Sequence, residues 1–231
     1  MDRLRSQLYL HGVAAVPFRP RSHLCDSRAE ESASLITHAL GVLFSIVSLV
    51  VMILVSGTDP LRIVASCIFG ATLILLYTSS TIYHSVSNPG LRSLFQIFDH
   101  SCIYLLIAGT YTPLTLITLR GPWGWSIFGT VWALAIAGVT LKSVMRENRE
   151  AWWSTALYVV MGWLIVIAIV PLVRNLPGPG LAWLVAGGLC YTFGVIFFAW
   201  RRLPFNHAIW HLFVIAGSAC HVIATVRYIL P

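Results

Sequence analysis

The sequence predicts an all-α integral membrane protein with seven transmembrane helices. Of its 231 residues, 58% are hydrophobic and only 10% are charged, whereas soluble domains carry about 25% charged residues. The mean hydropathy of +0.81 reflects seven apolar runs, each close to the ~20 residues that a helix needs to cross a bilayer. The connections between these runs are short, so we expect no separate soluble domain among them.

The first 29 residues differ from the rest of the chain, because they are mixed in character and contain five arginines. Their one apolar piece, residues 8–18, is too short to span a membrane and has no convincing signal-peptide cleavage site. We therefore expect a basic, disordered cytoplasmic tail at residues 1–29 and a seven-helix membrane domain at residues 30–231.

The boundaries of the helices follow from turn and helix-stop residues, chiefly Gly, Pro, Asn and Asp, in each connection. Pro171 lies inside the fifth run, where it is expected to kink or end the helix. Pro113 is expected to kink the third helix in the same way, and Tyr111 beside it is a candidate cavity residue. The predicted spans are 36–57, 61–83, 97–119, 123–143, 152–172, 180–200 and 207–229.

The net charge of +7 does not indicate a nucleic-acid partner, because the arginines are scattered between apolar runs. Instead, 11 of the 15 Lys and Arg residues lie in the N-terminal tail and in the second, fourth and sixth connections. Cytoplasmic loops of membrane proteins are enriched in Lys and Arg. The N-terminus is therefore predicted to be cytoplasmic and the C-terminus to lie outside.

Histidines are concentrated at the cytoplasmic ends of the predicted helices. One histidine at a membrane end is most often an interfacial polar residue, but ionisable groups within a membrane are costly and usually mark function. Five of them on one side therefore indicate a site. His207 and His211 are four residues apart and share a helix face, so they can reach one ion together. The five residues are His38, His84, His100, His207 and His211.

Three of these histidines fit a zinc site. His84, His207 and His211 with an open position for water match the pattern of catalytic zinc. Asp99 can bind the metal directly or accept a hydrogen bond from the bound water as its base. We favour the second role, because four protein ligands would close the site. Ser80 can hydrogen-bond the water or stabilise an oxyanion, or it can bond back to a carbonyl of its own helix.

The remaining polar residues near this site have less definite roles. Glu30 and Glu31 either support the site together with His38 or favour the positive N-terminus of the first helix. His100 lies about 100° around its helix from Asp99, so we expect it to point elsewhere. His221 lies ~15 Å deeper than the His207–His211 pair and is expected to be a hydrogen-bonded core histidine rather than a fourth ligand.

These residues resemble the three motifs of the hemolysin III family, which is grouped with the progestin and adipoQ receptors and, more distantly, with the alkaline ceramidases. The stretch 99–113 is especially similar to bacterial members, and the resemblance covers residues 30–230. Ser34 stands where the first motif usually has Asn, which removes a supporting amide but no metal ligand. The motifs are Glu30-Glu31 followed by His38, Ser80-x3-His84 with Asp99, and His207-x3-His211.

The resemblance implies Zn²⁺ held by His84, His207 and His211, with Asp99 orienting the zinc-bound water and Ser80 assisting. It also implies a multi-pass protein of the bacterial inner (plasma) membrane. The receptor and ceramidase relatives suggest a zinc-dependent hydrolase of lipid amides or esters, with a membrane lipid as substrate. The family name suggests instead a non-enzymatic pore-forming protein, or a receptor or sensor with structural zinc. We expect the hydrolase and keep the second as the alternative; no oligomeric state is indicated.

Overall fold

The computed structural model describes residues 27–145 and 152–231, so most of the predicted tail lies outside the described residues. Within them, seven helices are long and apolar enough to cross a membrane, as the sequence predicts. These helices are α1 (Arg28–Ser56), α2 (Pro60–Ser85), α3 (Pro89–Leu119), α4 (Gly121–Met145), α5 (Trp152–Asn175), α6 (Gly178–Ala199) and α7 (Asn206–Ile229).

The outer surface of the helices is strongly apolar. Leu54 is 74% exposed, Val144 is 76% exposed and Ile167 is 70% exposed. In contrast, many Ser, Thr and His side chains are buried between the helices. An apolar exterior around a partly polar interior is typical of helices that face lipid. The chain is therefore a multi-pass integral membrane protein.

Two helices begin earlier than the sequence predicts. α1 begins at Arg28 rather than near residue 36, and the side chain of Ser27 accepts a hydrogen bond from the N–H of Glu30 at 3.2 Å. α3 begins at Pro89 rather than near residue 97, with Asn88 as its N-cap. The prediction was wrong at both places because it followed apolar runs, whereas the first turns of both helices are partly polar and are defined by their caps.

α5 is interrupted in its middle, where a 3₁₀ segment at Leu164–Ala168 separates two α-helical parts. Pro171 follows this segment, and proline removes a backbone donor and disturbs the preceding turn, so the helix is irregular where the sequence predicts a kink or an end. The hydroxyl of Tyr111 on α3 donates to the carbonyls of Met161 and Gly162, each at 2.9 Å, and accepts from the N–H of Ile165 at 3.0 Å. Tyr111 thus satisfies backbone groups that the interruption leaves free.

α1, α2 and α7 meet around the side chain of Tyr77. A Cβ atom at Gly41 on α1 would overlap with the Tyr77 ring, so glycine allows the close approach of α1 to α2 at this point. The hydroxyl of Tyr77 donates to Oγ of Ser218 on α7 at 2.8 Å. This contact fixes the three helices that carry most of the predicted site residues.

Candidate metal centre

Three histidine side chains converge where α2 ends and α7 begins. His84 lies in the last turn of α2, and His207 and His211 lie one turn apart at the start of α7. One ring nitrogen from each lies within 4.8 Å of the other two, and all three residues are buried. Across residues 27–145 and 152–231, no other group of His, Cys, Asp or Glu side chains comes together in this way. The triad can therefore hold a metal ion.

The ring of His84 is oriented by Glu31 on α1. Nδ1 of His84 lies 3.0 Å from Oε1 of Glu31. A carboxylate only accepts hydrogen bonds, so Nδ1 carries the hydrogen and Nε2 carries the lone pair. Glu31 is itself held by a hydrogen bond from the guanidinium of Arg92 on α3. A carboxylate behind a ligating imidazole fixes its tautomer and raises its basicity, so this geometry favours the supporting role for Glu31.

The ring of His211 is oriented by the backbone of α1. Its Nδ1 lies 3.1 Å from the carbonyl oxygen of Ser34 and 3.1 Å from Oγ1 of Thr37. The carbonyl only accepts, so Nδ1 donates and Nε2 is left as the ligand atom. His211 therefore donates to the main-chain carbonyl of residue 34. Ser34, which stands in place of the usual Asn, provides the same carbonyl.

Glu30 acts on α7, although it is adjacent to Glu31 in the sequence. Its Oε1 accepts a hydrogen bond from the backbone N–H of Phe205 at 2.6 Å. Phe205 has a left-handed backbone with φ 59° immediately before the two ligand-bearing turns, a conformation that non-glycine residues rarely adopt. The N–H groups at a helix start need such acceptors. Glu30 thus fixes the beginning of α7 and, with it, the position of His207.

Asp99 and Ser80 lie beside the triad. The carboxylate of Asp99 on α3 is 6% exposed and interacts with both Ser80 and His84. Asp99 is not part of the group whose ligand atoms approach within 4.8 Å, which agrees with a role next to the metal. Ser80 is fully buried, and its hydroxyl makes no hydrogen bond of ordinary geometry. The alternative that Ser80 bonds to a carbonyl of its own helix is therefore not observed.

His38 on α1 contacts the triad through its ring face. It stacks on His211 with the ring centroids 3.4 Å apart and the planes 13° from parallel. It also makes a T-shaped contact with Tyr77, with the ring centroids 5.1 Å apart and the planes nearly perpendicular. His38 is 3% exposed, and both of its ring nitrogens are buried without a hydrogen-bond partner.

The other two histidines were predicted to lie apart from the ligand set. His100 is not part of the triad, but it lines the same cavity as Asp99. α3 is enclosed by other helices on most of its surface, so two faces 100° apart both point inward. His221 stacks on Tyr191 with centroids 5.6 Å apart and does not belong to the triad, as expected.

A cavity of about 120 Å³ adjoins the triad. His207, His211 and Asp99 border it, and so do residues such as Tyr111 and His221, which lie ~15 Å or more further along α3 and α7. Most of the side chains between these levels are apolar. They include Ile103, Leu106, Ile107, Val159, Val195 and Val214. The cavity therefore joins a polar, histidine-rich end to an apolar interior that suits a hydrocarbon chain.

Lys142 is one of the 11 Lys and Arg residues that the sequence places on the cytoplasmic side, in the fourth connection, but in the structure it lines the cavity. α4 continues to Met145, so Lys142 lies within the helix, is 1% exposed and lines the cavity close to His100. Without Lys142, Lys and Arg are still in excess on the predicted cytoplasmic side, so the predicted orientation does not change. Apolar runs alone did not indicate that one lysine so close to the helix end would face inward.

Comparison with known proteins agrees with this architecture. The family model described as "Haemolysin-III related" matches residues 27–222. The chain belongs to the haemolysin III family. It is 49% identical over 205 residues to Hemolysin-3 of Bacillus cereus, covering 87% of this chain and 93% of that protein. It is 44% identical over 201 residues to the Hemolysin-3 homolog of Bacillus subtilis, covering 86% and 94%.

A human relative is more distant. The chain is 31% identical over 206 residues to the monocyte to macrophage differentiation factor of Homo sapiens, covering 87% of this chain and 84% of that protein. The matched part of this haemolysin III protein contains all three histidines of the triad together with Asp99 and Ser80.

Proposed function

We propose that this haemolysin III protein binds Zn²⁺ through His84, His207 and His211 and hydrolyses a lipid amide or ester in the bacterial plasma membrane, with its N-terminus in the cytoplasm. The observation that carries the proposal is the convergence of three buried imidazoles beside a buried carboxylate, at the polar end of an apolar cavity. The chemistry of the lining suits a membrane lipid, because its acyl chain is apolar and its amide or ester is polar.

The donor set suits zinc. The hydrogen bonds at Nδ1 of His84 and His211 leave Nε2 of each ring with its lone pair, and Nε2 of His84 and of His207 is buried without a partner. Buried polar atoms are normally satisfied, and three imidazoles with an open position are the ligands of catalytic zinc. When bound, zinc would supply Lewis acidity and a water whose pKa falls toward about 7.

Each residue near the metal has a separate task in this proposal. Asp99 accepts the proton of the attacking water, because it is a buried carboxylate that borders the cavity. Ser80 lies one turn before His84, and its buried hydroxyl has no hydrogen-bond partner of ordinary geometry in the protein, so it helps to bind the oxyanion. Glu31 and the carbonyl of Ser34 hold two of the imidazoles. The apolar lining holds the acyl chain and excludes water from it.

The test of this proposal is metal content and lipid turnover on one detergent-purified preparation. We expect about one zinc per chain, and we expect fluorescent ceramide or an acyl ester to be cleaved into a fatty acid. Removal of the metal with a chelator should abolish cleavage, and added zinc should restore it. Absence of cleavage across amide and ester lipids by the zinc-loaded protein would contradict the hydrolase.

The alternative proposal is a non-enzymatic membrane protein with structural zinc, either pore-forming or acting as a receptor or sensor. It is favoured by the names of the two Bacillus relatives, which call them hemolysins. The matching experiment is release of a trapped dye from liposomes. Dye release by the wild-type protein that is unchanged in Asp99→Asn, together with no lipid cleavage, would favour the alternative over the hydrolase.

A further inference from the structure

His38 is the histidine nearest to the triad that the proposed ligand set does not use. It lies on α1, one residue after Thr37, which contacts Nδ1 of His211. Its ring is 3% exposed, and it lines the cavity together with Asp99, His207 and His211. The proposed ligand set does not explain why a polar ring is buried at this position.

The His38 ring makes aromatic contacts, but neither of its nitrogens has a hydrogen-bond partner in the protein. One face stacks on His211, and Tyr77 contacts the ring in an edge arrangement. These contacts need only an aromatic ring, and a phenylalanine would make them equally well. However, Nδ1 and Nε2 of His38 are both buried and neither has a hydrogen-bond partner within the protein. A buried polar group without a partner is destabilising, so packing alone does not account for a histidine.

His38 also lies outside the ligand group. The three nitrogens that approach within 4.8 Å of one another come from His84, His207 and His211, and His38 does not join them. It is nevertheless in electrostatic contact with each of the three. It therefore contacts the triad without belonging to the group of three ligand atoms.

We infer that His38 hydrogen-bonds the non-protein ligand at the remaining coordination position of the metal, whether that ligand is water or the oxygen of a bound lipid. This inference rests on the proposed zinc centre but not on hydrolysis. A neutral imidazole offers one N–H donor and one acceptor nitrogen, so it can accept from a bound water and donate to a bound oxygen anion.

The test uses full-length protein loaded with Co²⁺ in place of zinc, with acetohydroxamate as the probe for the open position. Acetohydroxamate binding is followed through the visible absorption bands of the cobalt. In His38→Phe, which keeps the aromatic contacts, we expect normal cobalt content and a Kd for acetohydroxamate weakened by about 3- to 10-fold, the worth of one hydrogen bond. His38→Gln, which restores a donor, should recover part of the affinity.

The matched control is His221→Phe, which changes another stacked cavity histidine away from the triad and should leave the Kd unchanged. An unchanged Kd in His38→Phe would overturn the inference. Loss of cobalt from His38→Phe as complete as that from His84→Ala would also overturn it, because His38 would then be a ligand. A wild-type protein that binds no metal would refute the zinc centre and this inference together, whereas metal binding without lipid cleavage would refute only the hydrolase.

Discussion

The carboxylate of Glu31 lies 3.0 Å from Nδ1 of His84, joining the start of α1 to the end of α2. The same carboxylate accepts a hydrogen bond from Arg92 at the start of α3. One side chain therefore links the beginning or end of three helices at the level of the histidine triad. It also fixes which nitrogen of His84 is free to bind a metal.

Glu31→Gln should weaken zinc binding, because the amide lacks the charge that polarises the imidazole and pairs with Arg92. Loss of such a partner typically costs 10- to 100-fold in metal affinity, so we expect a decrease of about that size. The measurement is a competition titration with a zinc chelator. The control is Asp59→Asn, which removes a carboxylate at the N-cap of α2, at the opposite end of that helix. Equal zinc affinity in Glu31→Gln and wild type would show that Glu31 does not support the metal.

Alanine at His84, His207 or His211 should each remove most of the zinc. The melting temperature should fall at the same time, because a metal that binds only the folded form stabilises it. Metal analysis and thermal unfolding of the purified variants measure the two effects. His221→Ala should keep its zinc. Full zinc occupancy in His207→Ala would mean that the ligand set is wrong.

The sequence is enough to predict the three histidines of the triad and the two helices that carry them. It is not enough to predict the groups that orient their rings. The spacing of His207 and His211 places them on one helix face in any α-helix. The carbonyl of Ser34 orients the ring of His211. The sequence does not indicate this contact, because every residue has a carbonyl. Glu30 contacts the start of α7, whereas Glu31 contacts the end of α2. Which glutamate contacts which helix depends on how α7 and α2 are placed in three dimensions.

The helix boundaries show a similar limit. Apolar runs predict all seven spans, because each must bury or expose a continuous apolar surface in lipid. They miss the first turns of α1 and α3, which are set by the caps Ser27 and Asn88. They do not predict that His100 lines the same cavity as Asp99, because the enclosure of α3 by other helices is a property of the assembled bundle.

Asp99→Asn should separate catalysis from metal binding. The amide keeps the shape of the side chain but does not take up a proton, so zinc content should stay near that of the wild type. Any hydrolysis of a ceramide-like amide should fall by about 10²- to 10⁴-fold, the usual contribution of a positioned general base. Zinc content and turnover are measured on the same preparation. Equal turnover in both proteins would refute the role of Asp99, and a parallel loss of zinc would make it a fourth ligand.

The proposed orientation is tested with a reporter that is active only in the cytoplasm. We expect activity when it is fused at Asn148, between α4 and α5 and outside the described residues, and silence when it is fused at Pro177, between α5 and α6. The reason is the excess of Lys and Arg on the predicted cytoplasmic side. The reverse pattern would place the histidine triad on the outer side of the membrane.

Gly41→Ala should destabilise the protein, because the added Cβ would overlap with the ring of Tyr77. Movement of Tyr77 would disturb its contact with His38 and its hydrogen bond to Ser218. Overpacking of this kind costs about 1–3 kcal/mol, which thermal unfolding in detergent measures. Gly129→Ala is the matched control, because a Cβ at Gly129 on α4 meets no atom within 4 Å. A melting temperature for Gly41→Ala no lower than that of the control would contradict this packing.

Zinc K-edge X-ray absorption on the purified protein tests the proposed zinc centre, because it reports the ligands of the metal. We expect one zinc with three imidazole nitrogens at ~2.0–2.1 Å and one further light atom from a non-protein ligand. A protein without zinc, a zinc with sulfur ligands, or a zinc closed by four imidazoles would refute the proposed centre.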